Sequence, residues 1–175
     1  KITNKDFATV SFVSIFVIFA IIAIVFKSIT LPIILVAVIE LAIFINMGIP
    51  FYTGATLPFI ASVVIGTIQL GATVDYAILM TNRYKLERSS GKEKHLAAKD
   101  ALTATMKSII VSACTFFGAT FGVGAYSSID MISSLCLLMA RGAVISMLCV
   151  ICILPAMFVV FDKAIVKGSY KFLDK

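Results

Sequence analysis

The sequence FATVSFVSIFVIFAIIAIVF at residues 7–26 decides the fold class, because twenty successive residues carry no charge. A helix of that length rises about 30 Å, which matches the thickness of the hydrocarbon core of a bilayer. Four more apolar runs follow, at residues 31–47, 57–82, 105–126 and 129–161. In lipid, backbone groups must be paired within one segment or in a closed barrel, and no alternating pattern indicates a barrel. The sequence therefore predicts an all-α integral membrane protein with a bundle of five transmembrane helices.

The composition of the chain supports this fold class and excludes others. Of its 175 residues, 61% are hydrophobic and 14% are charged, against roughly 45–50% and about 25% in soluble domains. Its 15 Lys and Arg and 9 Asp and Glu give a net charge of +6. Because the basic residues cluster between apolar runs, we interpret the charge as a topology signal. We expect a multi-pass protein of the cell membrane that is surrounded by the lipid bilayer and binds no nucleic acid.

The distribution of Lys and Arg predicts the orientation. Residues 83–107 contain seven basic residues and the tail at 163–175 contains four, whereas residues 46–56 and 124–130 contain none. Basic connections stay in the cytoplasm, so we expect the N-terminus outside and the C-terminus inside. Residues 1–6 are then interpreted as the end of a missing extracytoplasmic segment of a longer polypeptide. Residues 92–104 are predicted to form an amphipathic helix on the cytoplasmic membrane surface.

The most informative residues are GATVDY at positions 71–76, in the third run. Asp75 lies about 25 Å from the start of this run, still within a hydrocarbon core about 30 Å thick. An aspartate at the centre of a membrane helix costs about 2.5 to 3.5 kcal/mol, so we expect it to face a bundle interior or a wet cavity and to titrate. The simpler alternative is an aspartate near the membrane edge that pairs with Arg83 or Lys85. Gly71, one turn earlier, is expected to let a neighbouring helix approach closely.

The same segment resembles a known family. The pattern Gly-x-x-x-Asp-Tyr at residues 71–76 and NRYKLER at 82–88 resemble the MMPL branch of the resistance-nodulation-division (RND) transporter superfamily. The sequences RGAVIS at 141–146 and LPA at 154–156 resemble the last helix of that branch. The resemblance implies twelve transmembrane helices in two repeats of six, with an extracytoplasmic domain after the first helix of each repeat. Five helices in the predicted orientation correspond to the second repeat after that domain, an RND-type half transmembrane domain.

The resemblance also implies a function. Asp75 and Tyr76 form by resemblance one half of an intramembrane proton relay, in a transporter that exports lipidic or amphiphilic substrates by the proton-motive force. The implied partners are the first transmembrane repeat and the extracytoplasmic domains, on the same or a separate chain, and a homo-oligomer is compatible with this organisation. The sequence contains no phosphate loop, nucleophile with a base or metal-ligand cluster, so we expect a secondary active transporter with no enzyme activity, cofactor or metal. The alternatives are a non-transporting bundle of receptor-like or sterol-sensing type and a membrane scaffold subunit.

Two further charges interrupt the apolar runs. Glu40 lies about 14 Å from the inner end of the second run, and Arg141 lies about 18 Å from the outer end of the fifth. Because an arginine stays protonated, we expect Arg141 to pair with a carboxylate, and Asp75 and Glu40 are the candidates. Arg141 either tunes a titrating acid or forms a static ion pair between helices, and both interpretations stay open. For Glu40 the static structural role is favoured.

The fourth run carries a stripe of small and hydroxyl-bearing residues on one helical face: Ser108, Ser112, Thr115, Ala119 and Gly122. Gly118 and Gly122 also form a Gly-x-x-x-Gly pattern, which is typical of close packing between transmembrane helices. Packing is the favoured interpretation of the stripe. The alternative is that Ser112 or Thr115 passes protons to Asp75.

Overall fold

The structure is a computed structural model that describes the backbone of residues 2–54 and 59–168 and the side chains of residues 9–54 and 64–167. Within these ranges the chain folds into six helices and no strand. The helices are α1 (Ile2–Phe26), α2 (Thr30–Thr53), α3 (Phe59–Ser89), α4 (Lys94–Tyr126), α5 (Asp130–Val160) and α6 (Asp162–Gly168).

The first five helices confirm the predicted fold class, because each is long and apolar enough to cross a membrane. The chain is thus an all-α bundle with five candidate membrane spans. Two helices extend well past the predicted runs, since α2 ends at Thr53 and α3 at Ser89. Hydropathy identifies only the part of a helix that lies in hydrocarbon. The Lys, Arg and Glu residues after position 82 are good helix formers, so α3 continues beyond the apolar run.

The structure differs from the prediction for residues 92–104. They do not form a separate helix on the membrane surface, because Lys94–Tyr126 is one continuous helix. Ala97, Ala98 and Ala101 are buried. The face that was expected to meet lipid therefore packs inside the bundle as the first turns of α4.

At both ends of the chain, the described backbone is helical beyond the predicted apolar runs. The backbone of residues 2–6 belongs to α1, so the segment expected to end an extracytoplasmic domain is part of the first helix. The basic tail begins with the short helix α6. The remainder of the predicted tail, residues 169–175, lies outside the described residues.

The helix α5 is central, because it packs against α2, α3, α4 and α6, whereas α1 packs against α2 and α3. We call the end where α2 finishes and α3 begins the upper end, and the end where α3 finishes and α4 begins the lower end. At the upper end, α4 and α5 meet so closely that a Cβ on Gly124 would lie 2.9 Å from Leu137 Cγ. Ser133 Oγ donates a hydrogen bond to the Gly124 carbonyl there (2.6 Å). Glycine is therefore required at this contact.

Candidate functional site

Asp75 and Tyr76 lie near the middle of α3, but their side chains have different surroundings. Asp75 is about 24 Å from Phe59 and about 21 Å from Ser89 along the helix. Its side chain is exposed on the surface of the bundle, whereas Tyr76 is 6% exposed and belongs to the core. Successive residues of a helix point about 100° apart, which accounts for the difference. The two residues of the predicted relay therefore do not share one surface of this chain.

Asp75 forms no ion pair and no hydrogen bond with the side chains that the structure describes. Arg83, which was considered as its partner, pairs with Glu87 instead (2.6 Å). On α4, Ser112 and Thr115 are exposed, and Thr115 Oγ1 donates to the Val111 carbonyl of its own helix (2.8 Å). In this part of the chain, neither hydroxyl is bonded to Asp75.

Tyr76 packs at the junction of α3, α4 and α5. It lines a small void together with Gln69 and Thr73 of α3, Phe116 of α4 and Ala143 of α5. Thr73 Oγ1 donates to the Gln69 carbonyl (2.7 Å). The Tyr76 ring thus lies where three helices meet, near the side chain of Gln69.

The glycines that were expected to mediate helix packing do not do so among the described helices. A Cβ at Gly71, Gly118 or Gly122 would meet no atom within 4 Å. The close contacts are instead made by Gly124 and by Gly142, where a Cβ would lie 2.7 Å from Asn46 Nδ2 and 2.8 Å from Gln69 Oε1. The small-residue stripe of α4 therefore lies on a surface of the bundle and not in its interior.

Arg141 contacts neither of the carboxylates proposed as its partner. Its Nε donates to Asn46 Oδ1 (2.9 Å) and its Nη2 donates to the Asn46 carbonyl (3.0 Å). Among the described residues, no ion pair joins Arg141 to Asp75 or Glu40. The expected carboxylate partner is thus replaced by a neutral amide, because Asn46 is the polar residue of α2 that lies at the level of Arg141.

The amide of Asn46 continues this contact into a polar network across three helices. Asn46 Nδ2 donates to Gln69 Oε1 (2.8 Å) and to the Leu138 carbonyl (3.2 Å). Gln69 Nε2 donates to Ser146 Oγ (2.9 Å) and to the Gly142 carbonyl (3.3 Å). Asn46, Gln69 and Ser146 are 0%, 4% and 1% exposed, so the network is buried. It fixes α3, the helix that carries Asp75 and Tyr76, against α2 and α5.

Glu40 is on α2, about two turns from Asn46 towards the lower end. Its side chain is half-buried and lines a cavity between α1, α2 and α3. Neither Asp75 nor Arg141 lines this cavity. The structure therefore separates Glu40 from the other two charges within the membrane-spanning helices.

A second polar cluster closes the lower end of the bundle. Arg88 donates to both carboxylate oxygens of Asp162, from Nε (2.8 Å) and from Nη2 (2.7 Å), and Tyr84 donates from its hydroxyl to Asp162 Oδ1 (2.6 Å). Burial alone would raise the pKa of Asp162, but the hydrogen bonds from Arg88 and Tyr84 lower this pKa below its usual value. We call Tyr84, Arg88 and Asp162 the lower clasp. It joins the end of α3 to α6.

The lower clasp adjoins an ion-pair cluster at the start of α4. Lys92 Nζ donates to Asp100 Oδ2 and to Glu87 Oε2, both at 2.6 Å. These two hydrogen bonds raise the pKa of Lys92. The basic sequence between α3 and α4 is thus tied to acidic residues of both helices.

Sequence reasoning missed Asn46 and Gln69, which form the centre of the buried network. Each of two apolar runs contains an uncharged amide, and burying an amide in the membrane costs free energy unless it is hydrogen-bonded. This signal was available, but the prediction considered only charged residues as partners of Arg141. Gly142 is part of the family pattern at residues 141–146, but only the structure shows that its lack of a side chain makes room for the Asn46 and Gln69 amides.

Known proteins resemble this chain over most of its length. The model of the MMPL family matches residues 1–171. Over 110 residues, the chain is 27% identical to the Streptomyces coelicolor protein ActII-3, which is named as a membrane protein. The aligned residues make up 63% of this chain and 15% of that protein. The chain thus spans a small part of the length of this relative.

Proposed function

The chain belongs to the MMPL family, and we propose that it forms half of the transmembrane domain of a transporter driven by the proton-motive force. Family membership supports a membrane transporter role in general. The mechanism proposed here is that Asp75 takes up and releases a proton, and that Tyr76 assists it. The cargo proposed from the family resemblance is lipidic or amphiphilic, and the direction is export across the cell membrane.

The observation that carries this proposal is the unpaired Asp75 carboxyl halfway along a membrane-spanning helix. A static structural acid at this depth is expected to have a partner inside its own bundle, because an unpaired charge there is expensive. Asp75 has none among the described side chains and lies on the outer surface of the bundle. An acid that changes its protonation state against a partner surface accounts for both features.

The partner surface is proposed to be the other transmembrane repeat of the transporter. The stripe on α4 supports this, because Ser108, Ser112 and Gly122 are small or polar and leave room for a second helix. Hydroxyls of the stripe then lie in the same interface as Asp75. The proposed orientation places the lower end, with its basic connection at residues 83–107, in the cytoplasm.

Proton flux through the full-length protein tests the proposal. The protein is reconstituted in liposomes, a pH gradient is imposed, and an internal pH-sensitive dye reports the flux. Asp75→Asn keeps the shape and hydrogen-bonding capacity of the side chain but removes the titrating proton, so we expect at least a tenfold loss of flux. Tyr76→Phe is expected to lower the flux less, and Glu40→Gln less than either.

The matched control is Asp130→Asn, which makes the same chemical change at an exposed residue in the first turn of α5. We expect it to leave the flux unchanged. Wild-type flux from a well-expressed Asp75→Asn protein contradicts the relay. The receptor-like bundle and the scaffold subunit are the functions that such a result favours.

A further inference from the structure

The cavity beside Glu40 is a feature that the proposed proton relay does not use. It encloses about 250 Å³ between α1, α2 and α3, whereas Tyr76 faces α4 and α5. The lining is mostly apolar, with Ile15, Ile43 and Phe44 among its members. An apolar cavity of about 150 Å³ is large enough for a benzene molecule, so this one accommodates a small organic ligand.

The cavity has few polar side chains. Glu40 supplies a carboxyl, and Ser11 and Ser14 of α1 and Thr67 of α3 supply hydroxyls. Glu40 forms no ion pair or hydrogen bond with any side chain that the structure describes. A carboxylate only accepts hydrogen bonds, a hydroxyl both donates and accepts, and the described lining contains no basic side chain. A ligand in the cavity therefore meets one acidic group with no positive charge in the described lining.

We propose that this cavity binds a small amphiphile with a protonated amine. Its ammonium group lies against the Glu40 carboxylate and its apolar part lies against Ile43 and Phe44. Charge complementarity favours this ligand, because an ammonium has three donors and pairs with a carboxylate for which the described side chains provide no ion-pair partner. A neutral acyl chain fills the same space but leaves the Glu40 carboxyl without a partner, which is costly in an apolar site.

Equilibrium binding of n-octylammonium to the full-length protein in nanodiscs tests the proposal, with 1-octanol as the neutral probe of the same chain length. We expect saturable binding of octylammonium to the wild-type protein. Glu40→Gln is expected to weaken octylammonium at least tenfold and to leave octanol unchanged. Glu93→Gln makes the same chemical change at an exposed residue before α4 and is expected to leave octylammonium binding unchanged.

A second variant tests the cavity without touching the carboxyl. Gly66 lines the cavity and a Cβ there meets no atom within 4 Å, so we expect the side chain of Gly66→Leu to occupy part of the cavity. We expect it to abolish saturable binding of octylammonium. Gly48→Leu is the control, because a Cβ on Gly48 of α2 is equally unobstructed and Gly48 does not line the cavity.

Three results overturn the proposal: no saturable binding of octylammonium to the wild type, wild-type affinity in Glu40→Gln, or wild-type affinity in Gly66→Leu. Octanol that binds as tightly as octylammonium, with no dependence on Glu40, identifies the cavity as a site for neutral lipid chains instead. None of these measurements involves proton flux. The result is therefore independent of the role proposed for Asp75.

Discussion

Two polar clusters join the helices of this bundle, and they use different chemistry at different depths. In the interior, Arg141 donates to the neutral side chain and the backbone carbonyl of Asn46. At the lower end, Arg88 donates to both oxygens of the Asp162 carboxylate. The interior cluster thus holds a permanent cation with dipoles, whereas the lower clasp pairs two opposite charges. Both connect α3 to elements that follow α4 in the chain.

The difference follows from what each depth allows. Near the aqueous end of the bundle, a carboxylate remains ionised at neutral pH, and its pairing with Arg88 is reinforced by the Tyr84 hydroxyl. In the interior, an ion pair requires the desolvation of two charges, and the mutual attraction offsets this cost only in excellent geometry. Amides and backbone carbonyls there stabilise Arg141 without a second buried charge. The guanidinium has five donor hydrogens, and the two bonds to Asn46 leave further donors for partners outside the described residues.

The sharpest test of this comparison is Asn46→Leu, for which we expect the largest loss of stability. The substitution removes the side-chain acceptor of Arg141 Nε and both donations from the Asn46 amide, whereas Arg141 Nη2 keeps the Asn46 carbonyl. Each group left without its hydrogen bond costs about 1–3 kcal/mol, so we expect a total loss of about 3 kcal/mol or more. The free energy of unfolding of the full-length protein in detergent micelles measures the effect. Asn82→Leu is the control at an exposed asparagine of α3 and is expected to change little.

The same experiment distinguishes a network from independent contacts. In the Asn46→Leu protein, a second change of Arg141→Leu removes the cation that has lost its side-chain acceptor, so part of the lost stability is expected to return. Additive losses in the double variant contradict the coupling between these two residues. In a separate Arg141→Leu protein, recovery of stability by Asp75→Asn or Glu40→Gln indicates that a carboxylate, and not the amide, neutralises the arginine.

Gly142→Ala is expected to cause the next largest loss of stability, because it adds a methyl group where the Asn46 and Gln69 amides pack against α5. The added Cβ lies within 2.8 Å of both Asn46 Nδ2 and Gln69 Oε1, so one of the two amides must move. Overpacking of this kind costs about 1–3 kcal/mol. Gly48→Ala adds the same methyl group where no described atom lies within 4 Å and is expected not to lower stability. Equal unfolding midpoints for the two variants contradict a rigid network.

The two clusters also show how far the sequence predicts this structure. The five spans follow from apolar runs, since the preference for lipid is a property of each segment by itself. The depth of Asp75 follows from its position in a run, but its exposure does not, because exposure depends on which helices flank α3. The partner of Arg141 was predicted from charge alone. The actual partner, Asn46, depends on which residue of α2 lies opposite Arg141 in the folded bundle. Asn46 and Gln69 lie 23 positions apart and meet only because α2 packs against α3.

The smallest expected effect is at the lower clasp, and it depends on pH. The folded-state pKa of Asp162 is lowered, so its contribution to stability is complete above the unfolded value of about 4 and is lost as pH falls through the folded value. Asp162→Asn keeps one acceptor oxygen but loses the charge, and the loss is expected to be about 1 kcal/mol at pH 7 because the clasp lies at the aqueous end. The difference between the unfolding curves of the wild type and the variant should shrink as the pH falls below about 4. Asp100→Asn breaks the more exposed pair with Lys92 and is expected to have a smaller effect. A difference between wild type and Asp162→Asn that persists unchanged at low pH contradicts an ionised clasp and assigns the effect to shape alone.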